Sequence, residues 1–463
     1  MSFAAAPAPM PTSPLRRVWF DIQSERHVSI PFPPGDTRFS MRRTERFAHY
    51  PLPILLDAYE RYGPVFTLRI LHGNSVWMLG PEANHYVTVS HASNFRWRDG
   101  FMADLIPLLG DGLLTIDGEF HRRSRKIMLP AFHRERIECA NTIMEAEAAR
   151  ALDRVRPGEV FDLYRWTREL ALRIAMRALF GLDPDAARAG GLDAAGEFES
   201  ALSFWSRDYV LQMLRGPRTP WRHMTESRER LNQLIYAEID RRRATGERGD
   251  DILSMLLDAT DEDGRALDRR HIRDEVMTLL FAGHDTTTST VAFLFYELAR
   301  HPELVDDPSF ELELAIDETL RLYPPAWIGP RRSVNDFELH GVAVPGGVPV
   351  NYCSWASHRL PDAWDEPEVF RPQRFAPGSR ERIPKGAYVP FGGGSRTCIG
   401  MRFGQAEIGV IASRILERYR LELAPGYRLR IRQMPTIGPK QGMPVVPRRA
   451  EGGPARRRPA LAA

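Results

Sequence analysis

Chemistry is most densely arranged around Cys398, which closes the run Phe391-Gly392-Gly393-Gly394-Ser395-Arg396-Thr397-Cys398-Ile399-Gly400. Three successive glycines open backbone conformations, positive φ among them, that other residues resist. A helix-type run from Met401 to Ile408 follows directly. The cysteine therefore stands where unpaired N–H groups and a helix N-terminus favour a thiolate. Donors to that sulfur would also tune a bound metal. Arg396, two residues upstream, is placed to meet an anion. Taken alone, the string equally describes a buried thiol in a glycine turn.

Three other groupings have spacings that matter. Ala282-Gly283-His284-Asp285-Thr286-Thr287 lies midway along the apolar stretch from Val276 to Tyr296. An acid beside a hydroxyl in a dry helix is costly without partners or a purpose, although Asp285 and Thr286 could satisfy each other. Thr can also bond back to an upstream carbonyl, and Gly283 weakens the ladder, so local distortion is plausible. Glu318 and Arg321 put opposite charges three residues apart on one helix face, ahead of Tyr323-Pro324-Pro325, with Arg374 further on in Phe370-Arg371-Pro372-Gln373-Arg374-Phe375. An exposed pair of that kind is worth little. His121 and Arg125 are one helical turn apart, on what would otherwise be a plain basic face.

The cysteine run matches F-x-x-G-x-R-x-C-x-G, and by it the chain resembles the cytochrome P450 family. The segment at 282–287 is similar to that family's A-G-x-[DE]-T-T helix, and Glu318 to Arg321 to its E-x-x-R helix. The resemblance spans roughly residues 45 to 446. It implies a mainly α fold with small β-sheets, a triangular helical haem domain with a long central helix over the haem. Cys398 is implied as the axial ligand of the haem iron, with Phe391 packed near the sulfur and Arg396 paired with a propionate. His121, Arg125 and Arg331 are implied as further propionate ligands, with Arg332 as the alternative to Arg331. The resemblance implies that Asp285 relays protons from solvent and that Thr286 hydrogen-bonds the bound dioxygen or its water. Glu318, Arg321 and Arg374 are implied as a buried structural brace. His284 fills a position the motif leaves open and is read as a helix residue facing away from the haem. Thiolate ligation favours O–O cleavage, so the implied activity is a haem b monooxygenase using dioxygen to hydroxylate or epoxidise a hydrophobic substrate.

The elements that must position these residues follow a simple order. Residues 1–45 read as an irregular lead-in. Leu52 to Tyr62 is helical and Pro64 ends it. Val65–Ile70 and Ser75–Leu79 alternate around Gly73-Asn74, the signal of a two-stranded hairpin. Helical patterning runs from Glu119 to about Arg242, and again from Ile252 to Leu322, with a polar segment, 243–251, between. Short strands are expected over Phe337–Val344 and Val348–Tyr352, and a last helix near Gly400. The expected organisation is a single haem domain over 46–446 and a basic disordered tail over 447–463.

The totals exclude other classes. The formal charge is +3, but residues 447–463 hold five arginines against one glutamate, leaving the body near neutrality. Nothing there supports a nucleic-acid surface. Cys139, Cys353 and Cys398 are too few and too far apart for a disulfide framework; the first two are read as small buried residues. A carboxylate at the centre of a bilayer costs about 2.5–3.5 kcal/mol, so the stretch with Asp285 is a core helix. The N-terminus is too rich in proline for a signal peptide or anchor, and the protein is expected to be cytoplasmic and monomeric. No flavin or iron–sulfur segment is recognisable. Electrons are expected from a separate ferredoxin or flavodoxin with an NAD(P)H-dependent reductase, docking on Arg122, Arg123, Lys126 and Arg402. The segments expected to line the substrate pocket are 101–109, 202–214, 281–282, 326–328 and 436–437. They are rich in apolar residues, with Arg98 and Arg207 the nearby cations. A peroxide-driven enzyme, a haem-thiolate sensor without turnover and a haem-free scaffold are the rivals. The intact Asp285-Thr286 pair argues against the first two, and the third leaves Cys398 and its arginines without purpose.

Overall fold

The computed structural model describes residues 13–207, 209–260 and 264–450. The chain divides into two compact units. The first comprises the described residues up to His121 together with Arg321–Cys398; the second comprises Arg122–Leu320 and the residues from Ile399 onward.

The first unit opens with helix α1 (Pro14–Arg26), α2 (Met41–His49) and α3 (Pro51–Tyr62). Proline sits in the first turn of α1 and of α3, where its missing N–H is not needed. Gly63, at φ +83°, ends α3. The lead-in expected to be irregular therefore contains α1, the short strand Gly35–Asp36 and the first turn of α2. Arg17, Asp21 and Glu25 hold α1 to the unit through ion pairs with distant residues, which no local sequence signal discloses. Residues 1–12 of that lead-in lie outside the described residues. Strands Val65–Ile70 and Gly73–Met78 form the expected hairpin, in register from Val65 opposite Met78 to Ile70 opposite Gly73. The hairpin belongs to a six-stranded sheet ordered 35–36, 65–70, 73–78, 349–353, 328–333, 95–96. Ile328–Ser333 was hidden as a strand by Gly329 and Pro330, residues that depress strand propensity. Within the expected strand at 337–344 the chain makes two three-residue strands, turning at His340 and Gly341 with positive φ at both, the backbone a tight hairpin demands.

Helix α4 (Gly118–Met128) carries the chain from one unit into the other. The second unit then holds α5 (Arg134–Leu152), α6 (Leu163–Phe180), α7 (Ala194–Leu202), α8 (Pro220–Thr245) and α9 (Arg269–Arg300). Caps set their bounds. Asp162 accepts from the amides of Tyr164 and Arg165 at the start of α6, and Gly181 in the left-handed region ends it. Thr219 and Gly246 do the same for α8, and Asp268 caps α9. At 32 residues α9 is about 48 Å long. Its buried residues surround it on every side, as befits a helix at the centre of a core. Among the described residues no helix is long and apolar enough to cross a membrane.

Helix α10 (Leu312–Leu322) leads back to the first unit, and α11 (Met401–Arg418) follows the cysteine loop. A sheet of Tyr419–Leu423, Pro444–Arg449 and Phe161–Asp162 completes the second unit, with a small hairpin of Ile431–Arg432 and Gly438–Pro439. The expected disordered tail thus begins too early. Pro447 to Arg449 pair with Leu421 to Tyr419, and Arg448 forms an ion pair with Glu422 at 2.9 Å. Residues 451–463 lie outside the described residues.

Candidate active site

In the first unit the cysteine loop closes on itself, the Cys398 amide donating to the Phe391 carbonyl at 2.9 Å. Gly392 and Gly394 have φ of +72° and +61°. The loop lies so close to Thr88 that a β-carbon on Gly394 would be 2.1 Å from the Thr88 carbonyl oxygen, and one on Gly393 2.7 Å from its hydroxyl. Glycine is needed there for space as well as for φ. The Cys398 side chain is exposed, so it is not the buried thiol that the loop alone could have described.

Beside the loop, two guanidiniums approach Trp97: Arg331 at 3.6 Å from the ring centroid and Arg396 at 5.5 Å. Arg396 also pairs with Asp117 and donates to the Ile116 carbonyl. Arg331 is 4% exposed, and among the described residues no carboxylate forms an ion pair with it. Its Nη1 donates to the Pro330 carbonyl at 2.9 Å, and burial pushes its pKa down to about 10. Arg332 is committed elsewhere, to Asp21 at 2.6 Å and to the carbonyls of Asp99 and Gly347. A desolvated cation lacking a carboxylate calls for an external anion, and Arg331 meets that description better than Arg332.

His121 is buried, and Arg125 lies one turn on along α4, half-buried. Arg122, Lys126 and Arg402 are exposed and Arg123 half-buried. Arg321 is fully buried, donating to the carbonyls of His358 and Pro367 at 2.8 Å each and lying 5.1 Å from the Trp364 centroid. Arg374 donates to the Glu366 carbonyl at 2.8 Å, and both arginines reach the Val369 carbonyl. They brace the 366–369 turn together. Arg374 is half-buried rather than buried, because its targets are the carbonyls of a surface turn. Glu318 is fully buried.

In the second unit the acid and alcohol of α9 do not satisfy each other. Thr286 Oγ1 donates to the Ala282 carbonyl at 2.8 Å. Asp285, 0% exposed, accepts from Arg168 of α6 at 2.9 Å and from the Thr436 hydroxyl, with Arg432 at 3.7 Å. Tyr164 ties the two cations together, its hydroxyl accepting from each at 2.8 Å. The arginines hold the Asp285 carboxyl below the usual carboxylate range, against the opposing pull of burial. Gly438 permits the arrangement, since a β-carbon there would come within 2.6 Å of the Tyr164 hydroxyl. Ser289 donates to the Ile437 carbonyl at 2.6 Å, pinning the same hairpin to α9. Thr287 donates to Glu407 of α11 at 2.8 Å, and burial pushes the Glu407 pKa up to about 8. His284 is fully buried, Nδ1 at 2.7 Å from the Leu280 carbonyl and the ring 5.3 Å from Phe198 of α7.

Arg168, Arg432, Tyr164 and Glu407 did not emerge from the sequence. A buried Asp285 demands a cation, but 63 lysines and arginines offer no way to choose one. Thr436 was identified only as a pocket residue. Arg98 anchors nothing external, being spent on the Thr115 carbonyl and Asp111 at 2.8 Å each. Arg207 is exposed. Residue 208 of the expected 202–214 lining lies outside the described residues. Cys353 is buried as expected, its pKa pushed up to about 12, but Cys139 is exposed because it falls on the outer side of α5.

The model of the cytochrome P450 family matches residues 46–307 and 311–443. The chain is 34% identical over 347 residues to cyclooctat-9-en-7-ol 5-monooxygenase of Streptomyces melanosporofaciens, covering 70% of this chain and 75% of that one. Pentalenene oxygenase of Streptomyces avermitilis is 31% identical over 352 residues, 71% of this chain and 78% of that one. Among solved structures, retinoic acid-bound cyanobacterial CYP120A1 superposes with a TM-score of 0.80 at 26% identity, over 91% of this chain and all of that one. The chain belongs to the cytochrome P450 family. It is an oxidoreductase, a haem-thiolate monooxygenase of hydrophobic substrates, and its mainly helical fold with small sheets is the family's.

The residues present fit a haem. Cys398 offers one accessible sulfur, and among the described residues no group of three or more His, Cys, Asp or Glu could hold a bare metal ion. A lone thiolate suits an iron whose other ligands come with its cofactor. The unbalanced cation Arg331, with Arg396 beside it, suits that cofactor's carboxylates.

Proposed function

We propose that Cys398 would hold the iron of haem b and that Asp285 and Thr286 would deliver protons for a hydroxylation or epoxidation driven by dioxygen. The observation that carries this reading is Asp285, a carboxylate kept ionised in a fully buried position by Arg168 and Arg432. A sensor or a peroxide-driven enzyme has no use for so costly an arrangement. The haem supplies the oxygen-activating iron; the chain supplies its ligand, its counter-ions and its protons. Cys398, as thiolate, would donate electron density to the metal. Arg331 and Arg396, with His121 and Arg125, neutralise the propionates, and Phe391 packs near the sulfur. Glu318, Arg321 and Arg374 keep the surrounding fold rigid.

Thr286 spends its hydroxyl proton on the Ala282 carbonyl and so presents its oxygen lone pairs as an acceptor. Asp285 is ionised and stores no proton at neutral pH. It passes one on by turning from Arg168 and Thr436 to accept a proton from water and release it toward Thr286. Arg122, Lys126 and Arg402, exposed on the second unit, form a cationic footing for an acidic ferredoxin or flavodoxin reduced by an NAD(P)H-dependent reductase. The substrate is a hydrophobic hydrocarbon skeleton of the kind named for the two Streptomyces relatives, and the protein acts as a cytoplasmic monomer.

Reduced protein under carbon monoxide should give the Soret band of a thiolate haem, and Cys398→Ala should abolish it. Absence of the band from the parent would sink the assignment. Asp285→Asn should keep the band and slow product formation about a hundredfold; an unchanged rate would remove Asp285 from proton delivery.

A further inference from the structure

Helix α1 turns three of its charges inward. Arg17, Asp21 and Glu25, spaced one turn apart, point into their own unit. Arg17 pairs with Asp104 at 2.6 Å, Asp21 with Arg332 at 2.6 Å and His72 at 3.1 Å, and Glu25 with Arg69 at 2.7 Å. Phe20 packs beside them on Ala103 and Ile106. With 3.6 residues per turn, the opposite side carries Leu15 and Trp19, flanked by the exposed Arg16 and Arg26. Leu15 is 70% exposed and Trp19 64%. An amphipathic helix on a globular protein ordinarily buries its apolar residues and shows its charges; here three charges are drawn inward by ion pairs and two large apolar side chains stay outside.

The exposure continues beyond the helix. Phe39, Met41 and Tyr50 are 62%, 58% and 68% exposed, and α2 has no buried residue. Ile22, Thr37, Phe39 and Leu71 line one open surface cleft with Arg69 and His72, which sets Phe39 beside α1. The exposed charges of this stretch are Arg16, Arg26, Arg38, Arg42 and Arg46 against Glu45. Aromatic and aliphatic side chains rimmed by arginines are what a bilayer interface with anionic headgroups recognises, the rings seated at headgroup depth and the guanidiniums on phosphate.

We propose that this face of α1 and the 39–50 segment seats the protein reversibly on the surface of an anionic lipid bilayer. A protein partner would be expected to meet an apolar centre depleted of charge, whereas here the arginines are interleaved with the exposed rings. Attachment of this kind would place an enzyme of hydrophobic compounds where those compounds partition. It stands apart from the assignment of Cys398 and Asp285, since the surface contains neither.

The test uses the full chain loaded with haem, spun down with vesicles of phosphatidylglycerol mixed equally with phosphatidylcholine, and with vesicles of phosphatidylcholine alone. The parent should pellet with the first, much less with the second, and release as salt is raised. Trp19→Ser combined with Phe39→Ser should lower the bound fraction about tenfold, and Arg42→Glu with Arg46→Glu should abolish the preference for phosphatidylglycerol. All four side chains are exposed, so thermal midpoints should match the parent and separate lost binding from lost fold. A parent that stays in the supernatant overturns the proposal, as does a Trp19/Phe39 variant that pellets like the parent. So does a parent that sediments as a dimer made monomeric by that variant, which would name a second copy as the occupant.

Discussion

A carboxylate with no surface in water stays ionised only if cations hold it, and Asp285 leans chiefly on Arg168 at 2.9 Å. Arg168→Gln would leave it with Arg432 at 3.7 Å and the Thr436 hydroxyl. We expect a loss of about 3 kcal/mol, seen as a lower denaturant midpoint with the slope unchanged. Glu407 presents the opposite case. Its carboxyl is raised from 4.5 to about 8 by burial. Below about 4.5 both folded and unfolded chains carry the proton; between about 4.5 and 8 only the folded chain does, so stability falls as pH rises through that window. Glu407→Gln, which cannot titrate, should flatten this dependence by a few kcal/mol, measured as thermal or denaturant stability across the same range. An equal slope in parent and variant would show the carboxyl to be ionised in the native state.

At the scale of elements, two motif glycines make contrasting demands. A β-carbon on Gly283 of α9 would meet only Ala175, at 3.7 Å, an ordinary contact. Gly283→Ala should therefore stabilise the protein by about 1 kcal/mol, whatever it does to oxygen chemistry. Gly394→Ala would drive its methyl into the Thr88 carbonyl at φ +61°. It should cost several kcal/mol or displace the loop, visible as a lower midpoint and a weakened carbon monoxide band. The same elements show what a sequence can disclose. Helices α3 and α11 were legible, and α9 as part of the stretch from 252 to 322, because prolines and apolar periodicity are local signals. The cysteine loop and the acid–alcohol pair were legible because they are contiguous strings. The cluster around Asp285 was not, since Tyr164, Arg168, Arg432 and Thr436 come from one helix and a distant hairpin, and only folding makes them neighbours.

Across the whole molecule, the misread segment was the one where polarity and burial part company. In α1 Arg17, Asp21 and Glu25 turn inward to distant partners, and contacts of that range leave no local signal in the sequence. Deleting 14–26 would strip Asp104 and Arg332 of their ion-pair partners and bare Ala103 and Ile106, which Phe20 covers. We expect a loss of about 2–4 kcal/mol, read from the thermal midpoint of the truncated chain. A midpoint equal to the parent's would mean that the ion pairs contribute nothing net in solution.

Two guanidiniums lie near the Trp97 ring, 3.6 Å and 5.5 Å from its centroid, and this makes it an optical gauge. An indole's emission responds to the field of charges over its face, and here those charges are the ones that would be neutralised as carboxylates arrive. The difference in emission between the parent and a Trp97→Phe chain, followed through a titration, would report in real time how far the cationic edge of the site has filled.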